Sequence, residues 1–404
     1  MSSTVVTGIG VTAPNGLGAK DFWSATIEGR SGLGPVQRFD AGQYPVRLAG
    51  EIPGFKAEDH LPSRLLPQTD HMTRLALVAA DWALADAEVP PEDPESEFSR
   101  GVITASSSGG FEFGQNELEK LWSQGSEYVS AYQSFAWFYA VNTGQISIRH
   151  GMRGPSGVLV SDQAGGLDAV AAGRRQIRRG SSLIVSGGVD ATICPWGWAA
   201  LIASGRLSSI DDPDRAYLPF DAAAAGHVPG EGGAILVLEN AVTARARGAE
   251  SYGEIAGYAA TFDPRPDSGR EPALRRAIEI ALQDAELERG QIDVVFADAA
   301  AVPELDRQEA DAINAVFGPG AVPVTAPKTM TGRLYSGAAP LDLAAAFLSI
   351  RDGVIPPTTN VSPAPEYRLD LVVGEAREAR VRSVLVLARG QGGFNSAMVV
   401  RQSR

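Results

Sequence analysis

The 404-residue chain carries 35 basic against 48 acidic side chains, a formal net charge of −13, and 44% of its residues are apolar. That length and apolar content suffice for two or three domain-sized cores, and an acidic balance with no basic block argues against nucleic acid or an anionic membrane as the main partner. The start "MSSTVVTGIGVTAPNG" has no lysine until Lys20, and no stretch reaches the ~18 unbroken apolar residues of a spanning helix, so a soluble, unexported, cytoplasmic protein is expected.

In chain order, "STVVTGIGVTAP" reads as a strand, "DHMTRLALVAADWALADA" as a helix by its apolar periodicity, and "RGVITAS" as a second strand. A helix-rich insertion follows over about residues 110–151, rich in aromatics from Phe111 to Tyr139. Next come the strand "SGVLVSD", the helix "GGLDAVAAGRRQIRRG", and the strands "SLIVSGGVDA" and "GGAILVLEN". The order then repeats: strand "YGEIAGYAATFD", helix "PALRRAIEIALQDAEL", strand "IDVVFADAA", helix "DRQEADAINAVFG", strand "PVTAP", helix "APLDLAAAFLSIRDG", and the closing strands "VRSVLVLARG" and "FNSAMVVR". Two similar halves, 1–250 and 251–404, predict a duplicated α/β fold whose sheets pack through shared helices.

The stretch "SGVLVSDQAGGLDAV" is a strand, a glycine-softened turn and a helix, an arrangement on which enzymes often mount a nucleophile. The turn residue is Gln163, whose amide nitrogen has its lone pair tied up in resonance and cannot attack a carbonyl. Cys194, the only cysteine, lies in "TICPWGW" with no histidine near it in sequence, so a buried, inert thiol is expected and no internal disulfide can form. His60, His71, His150 and His227 are scattered without ligand spacing, which predicts structural roles and no metal site.

Taken together, "VSDQAGGLDA", "RAYLPFDAAAAGHVPGEGGAILVLE", "PKTMTGRLYSGAAPLD" and "GQGGFNSAMVV" resemble the β-ketoacyl synthases of the thiolase fold, and within them the chain length factor, or ketosynthase β subunit, of bacterial type II aromatic polyketide synthases. The resemblance covers essentially the whole chain. It implies a thiolase-like fold of duplicated βαβαβαββ halves in five αβαβα layers. Active relatives carry a cysteine and two histidines, and by resemblance those positions are Gln163, Asp298 and Arg333. Lys328 matches the family's lysine, and Gly232, Gly233, Gly392 and Gly393 keep the turns around the old site. Gln391 stands where active enzymes place a phenylalanine gate.

Asp298 and Arg333 are expected to form a buried ion pair filling the vacated pocket, the alternative being that Arg333 binds a malonyl carboxylate. The resemblance further implies a non-condensing subunit that pairs with a ketosynthase α subunit, completes a tunnel for the growing polyketide chain and sets its length. An acyl carrier protein brings substrate on its phosphopantetheine arm, and the chain itself binds no cofactor. Phe111, Gly114 and Leu118 match the family's gating positions on one helix face, and the modest size of Gly114 and Leu118 leans towards a chain longer than an octaketide. The competing reading is a malonyl-ACP decarboxylase that makes the acetyl primer, with Gln163 and the helix N–H groups holding an enolate.

Overall fold

The computed structural model describes residues 3–90 and 97–403. In the first half, strands β1 (Thr4–Ala13), β2 (Arg100–Ala105), β3 (Ser156–Leu159), β4 (Leu183–Asp190) and β5 (Gly232–Asn240) lie in the order β3-β2-β4-β5-β1. β2 runs parallel to β3 and β4, while β5 runs antiparallel to β4 and β1. In the second half, β6 (Gly253–Phe262), β7 (Val294–Phe296), β8 (Pro323–Thr325), β9 (Ser383–Arg389) and β10 (Phe394–Arg401) take the same order, β8-β7-β9-β10-β6, with the same parallel and antiparallel senses. β1 and β6 then pair antiparallel through Val5 with Glu254 and Val6 with Gly253, so the two sheets share one hydrogen-bonded edge.

The helices complete the layers. Asp70 accepts from the Met72 amide at 2.8 Å and so starts α1 (His71–Asp86). After α2 (Phe111–Ser123) comes α3 (Val141–Arg149), and α1 and α3 cover the outer face of the first sheet, where Leu75 and Ile146 meet Val102 and Val237. Between the sheets lie α4 (Gly165–Arg178) and, beyond α5 (Pro195–Ala203), α6 (Leu274–Ala285) and α7 (Pro303–Phe317), the last helix α8 (Ala338–Asp352). α8 is buried on every side from Ala338 to Ile350, as its alanine-rich sequence permits. α6 and α7 cover the far face, with Ile278 and Ile313 against Val295 and Leu385. The layering is the expected αβαβα of the thiolase-like fold. The sequence reading did not foresee α5, and no helix among the described residues is long and apolar enough to cross a membrane.

Among the described residues β3 pairs only with β2, which leaves its other edge without a strand; Val160, just past it, is 50% exposed. An open edge beside an apolar side chain is a place where another chain can add.

Candidate functional site

β3 leads through Asp162 to Gln163, and α4 begins two residues later. Asp162 holds a left-handed backbone at φ 52°, which aspartate tolerates better than most residues. Its carboxylate accepts from the Gln391 amide at 2.8 Å, tying this elbow to the loop that precedes β10. In that loop Gly392 and Gly393 have φ of 90° and 111°, and Gly232 and Gly233 at the start of β5 have 112° and 153°. Such backbone angles strain any residue with a side chain, so these glycines preserve the shape of the site.

Gln163 is buried and donates to Asp298 Oδ1 at 2.6 Å. Asp298 follows β7, and Arg333 follows the short 3-10 helix Pro327–Met330. Arg333 Nη2 meets both Asp298 oxygens at 3.0 and 3.1 Å, its Nη1 donates to the Asp298 carbonyl at 3.1 Å, and the Arg389 amide adds a bond of 2.8 Å to Oδ1. Gln163, Asp298 and Arg333 are thus brought together as one buried, charge-balanced network. Lys328 sits behind it, donating to the Ala297 carbonyl and pairing with Asp342 at 2.7 Å. Glu309 of α7 closes the base by accepting from the Asp298 and Ala299 amides at 2.7 and 2.8 Å.

The electrostatics follow from these contacts. Burial opposes ionisation of Asp298, yet the cations Arg333 and Lys328 hold its carboxyl below the usual range. Burial would strip the proton from Arg333, but Asp298 keeps it firmly charged. Glu309, buried and facing the Asp298 charge, is pushed up to about 7. An ion pair this enclosed contributes little net stability, whereas losing one partner strands the other. The network contains no thiol or hydroxyl, and among the described residues no imidazole is hydrogen-bonded to Gln163.

Beside this centre lies a cavity of about 220 Å³ whose wall includes Arg333, His227, Tyr335, Arg206 and Phe111, with Gln391 at its exposed side. Gln163 does not line it, so the amide is enclosed rather than presented to a ligand. His227 is buried beside Arg333 and lines the cavity; burial and the Arg333 charge push it down to about 3, so it stays neutral. Sequence reasoning also missed Glu309 and Arg389, whose contacts with Asp298 span 11 and 91 positions and leave no local pattern.

The other histidines serve as expected or pack: His71 lies 3.3 Å from Glu231, His150 lies 3.0 Å from Asp81, and His60 stacks on Phe55. Cys194 is buried at the cap of α5, where burial pushes its thiol up to about 11. No cluster of metal-ligating side chains occurs among the described residues.

On α2, Phe111 stacks on Trp196 with ring centroids 4.6 Å apart. Gly114 faces the same ring: a Cβ there would stand 3.2 Å from Trp196 Cζ3 and 3.5 Å from Trp137 Cβ. Leu118, one turn on, is 36% exposed. The start of α2 is pinned by Asp70, which accepts from the Phe113 amide at 2.7 Å, and by Arg38, which bridges Glu112 and Glu231 at 2.5 and 2.7 Å. Beyond it, the insertion exposes Trp122, Phe138 and Ile148, the first and last by 82% and 78%.

The family profile described as "Beta-ketoacyl synthase, N-terminal domain" matches residues 1–244, and "Beta-ketoacyl synthase, C-terminal domain" matches residues 252–362. The tetracenomycin polyketide synthase ketoacyl synthase beta subunit of Streptomyces glaucescens is 61% identical over 98% of both chains. Among solved structures, the ishigamide ketosynthase/chain length factor matches with a TM-score of 0.87 at 28% identity over 99% of each chain. A type II PKS acyl-carrier protein complex with its hexaketide-bound ketosynthase matches with a TM-score of 0.88 at 26% identity, also over 99% of each chain.

Proposed function

Since the chain belongs to the beta-ketoacyl synthase family, we propose that it is the non-condensing ketosynthase β subunit, or chain length factor, of a type II aromatic polyketide synthase working in the cytoplasm. It pairs with a ketosynthase α subunit, which supplies the cysteine and histidines, and it forms part of the tunnel that receives the growing poly-β-keto chain. Substrate reaches the pair on the phosphopantetheine arm of an acyl carrier protein. The observation that carries this reading is the buried Gln163–Asp298–Arg333 network, in which the residues that by resemblance stand at the condensing positions are an amide and an ion pair bonded to each other. The same enclosure weighs against decarboxylation through Gln163, because one of its two N–H donors is held by Asp298 and the side chain does not line the cavity. The Asp298 carboxylate, which already neutralises Arg333, also weighs against a malonyl carboxylate there.

Within this reading the length of the product is set where Phe111 and Gly114 meet Trp196, with Leu118 one turn further along α2. The space that glycine leaves beside Trp196 favours a chain longer than an octaketide. The test is co-expression with a ketosynthase α subunit: the two chains co-purify, the isolated chain transfers no acyl group from malonyl carrier protein, and the pair releases a polyketide whose mass gives its length. Acyl transfer by the isolated chain would overturn the assignment.

A further inference from the structure

Two helices meet at Gly114 and Trp196, and each is fastened to the body of the chain by its own anchor. α2 has no capping side chain of its own, since Gly110 precedes it. Its first turn is held instead by Asp70, one carboxylate that serves two helices: Oδ1 accepts from the Met72 amide at 2.8 Å and Oδ2 from the Phe113 amide at 2.7 Å. Asp70 is buried and α1 packs on the first sheet, so the start of α2 is fixed in register against that sheet. α5 is anchored separately by Trp198, whose buried indole donates to the Val46 carbonyl at 3.0 Å.

Between these anchors a hydrogen bond joins the two helices: the Trp196 amide donates to Gln115 Oε1 at 2.7 Å, across 81 positions of sequence. The amides that open a helix have no partner inside it. At α5 the first residue is Pro195, which has no N–H; the Gly197 amide turns to Cys194 Sγ at 3.5 Å and the Trp198 amide to the Cys194 carbonyl at 2.7 Å. The Trp196 amide is met from outside α5, by Gln115 of α2.

The backbone that Gln115 holds carries the ring that lies over Phe111 and Gly114. Trp196 is 41% exposed, so packing alone does not lock that ring in place. A Cβ at Gly114 would stand only 3.2 Å from it, so the ring already lies close against α2 and a released ring moves outward.

We propose that Gln115 is a positioning residue of the gate: by holding the Trp196 amide it sets how closely the indole lies against Gly114, and so which polyketide length the subunit favours. The role rests on the chain-length reading of α2 and acts through Trp196. A site whose supporting contacts are loosened loses its selectivity, and loss of one hydrogen bond corresponds to about a fivefold shift between the held and released arrangements.

The test uses the full chain purified with its ketosynthase α partner, with product masses as the readout. Gln115→Leu and Gln115→Met keep the bulk of the side chain and remove the acceptor. Each should raise the share of longer chains about fivefold, with partner recovery and melting temperature those of the parent. Gln115→Glu keeps an acceptor oxygen and should restore the parent's product. Hydrogen exchange at the Trp196 amide should quicken about fivefold in the first two variants and not in the third. Gln115 is part-exposed, so one folded variant of the first two is enough to decide. A parent-length product from that variant, or the same shift in Gln115→Glu, would overturn the proposal. If Gly114→Phe alters the product in the same assay while the Gln115 variants do not, the gate stands and the role of Gln115 falls; if Gly114→Phe is silent as well, the chain-length reading falls with it.

Discussion

The centre around Gln163 and the insertion over residues 110–151 treat their side chains in opposite ways. At the centre, charged groups are buried and answered within the chain: Asp298 alone collects Gln163, Arg333 and the Arg389 amide. In the insertion, large apolar groups face outward, with Trp122, Phe138 and Ile148 exposed. The first region closes on itself, and the second presents an apolar surface of the kind that another chain covers.

The contrast breaks most severely at the ion pair. Arg333→Met or Asp298→Leu alone should destabilise the chain by about 3–5 kcal/mol in chemical denaturation, because each strands a buried charge, while the double variant should recover much of that loss. Additive losses would mean that the pair is not the unit described.

Changes on the insertion should show the reverse pattern. Trp122→Asp and Ile148→Asp should leave the stability of the isolated chain within about 0.5 kcal/mol, since both sites are exposed, yet reduce recovery of the ketosynthase α partner at least tenfold. Unchanged recovery would move the interface elsewhere. Where the two regions meet, at Trp196, Gly114→Phe should displace the indole ring and shorten the polyketide measured by mass spectrometry, with the pair still assembled. A product of unchanged length would remove Gly114 from the gate.

Smaller effects refine the picture of a closed centre. Glu309 is raised from 4.5 to about 7 by burial and by the Asp298 charge, so the folded chain binds its proton more tightly than the unfolded chain. Its contribution is therefore fully present below pH 4.5 and is lost as the pH rises through 7. Glu309→Gln should flatten that part of the stability profile. Least of all, Cys194, with its thiol pushed up to about 11, should resist disulfide reagents at pH 8 until the chain unfolds.

Most of the architecture was legible because apolar periodicity is local. "GGAILVLEN" coincides with β5, Gly232–Asn240, and the helix foreseen in "APLDLAAAFLSIRDG" forms as Ala338–Asp352. The site was legible where it rests on short motifs: the elbow at Gln163 and the residues Asp298 and Arg333 were foreseen as a buried pair. What stayed hidden depends on pairing at a distance. His227 looked like any core histidine because nothing in "GHVPGEGG" shows that its ring will face Tyr335, 108 positions away. Glu309 lies in a helix with no local pattern to single it out, yet the turn at Ala299, with φ of 50°, aims two amides at it.

The shared edge of β1 and β6, with α8 enclosed between the sheets, bears on how the chain comes apart. Neither half can open without exposing the apolar faces of α8 and cutting a ladder that belongs to both. The 404 residues should therefore melt in one cooperative step, with the amides of α8 among the slowest to exchange with solvent, and fragments cut between β5 and β6 should refold only when mixed.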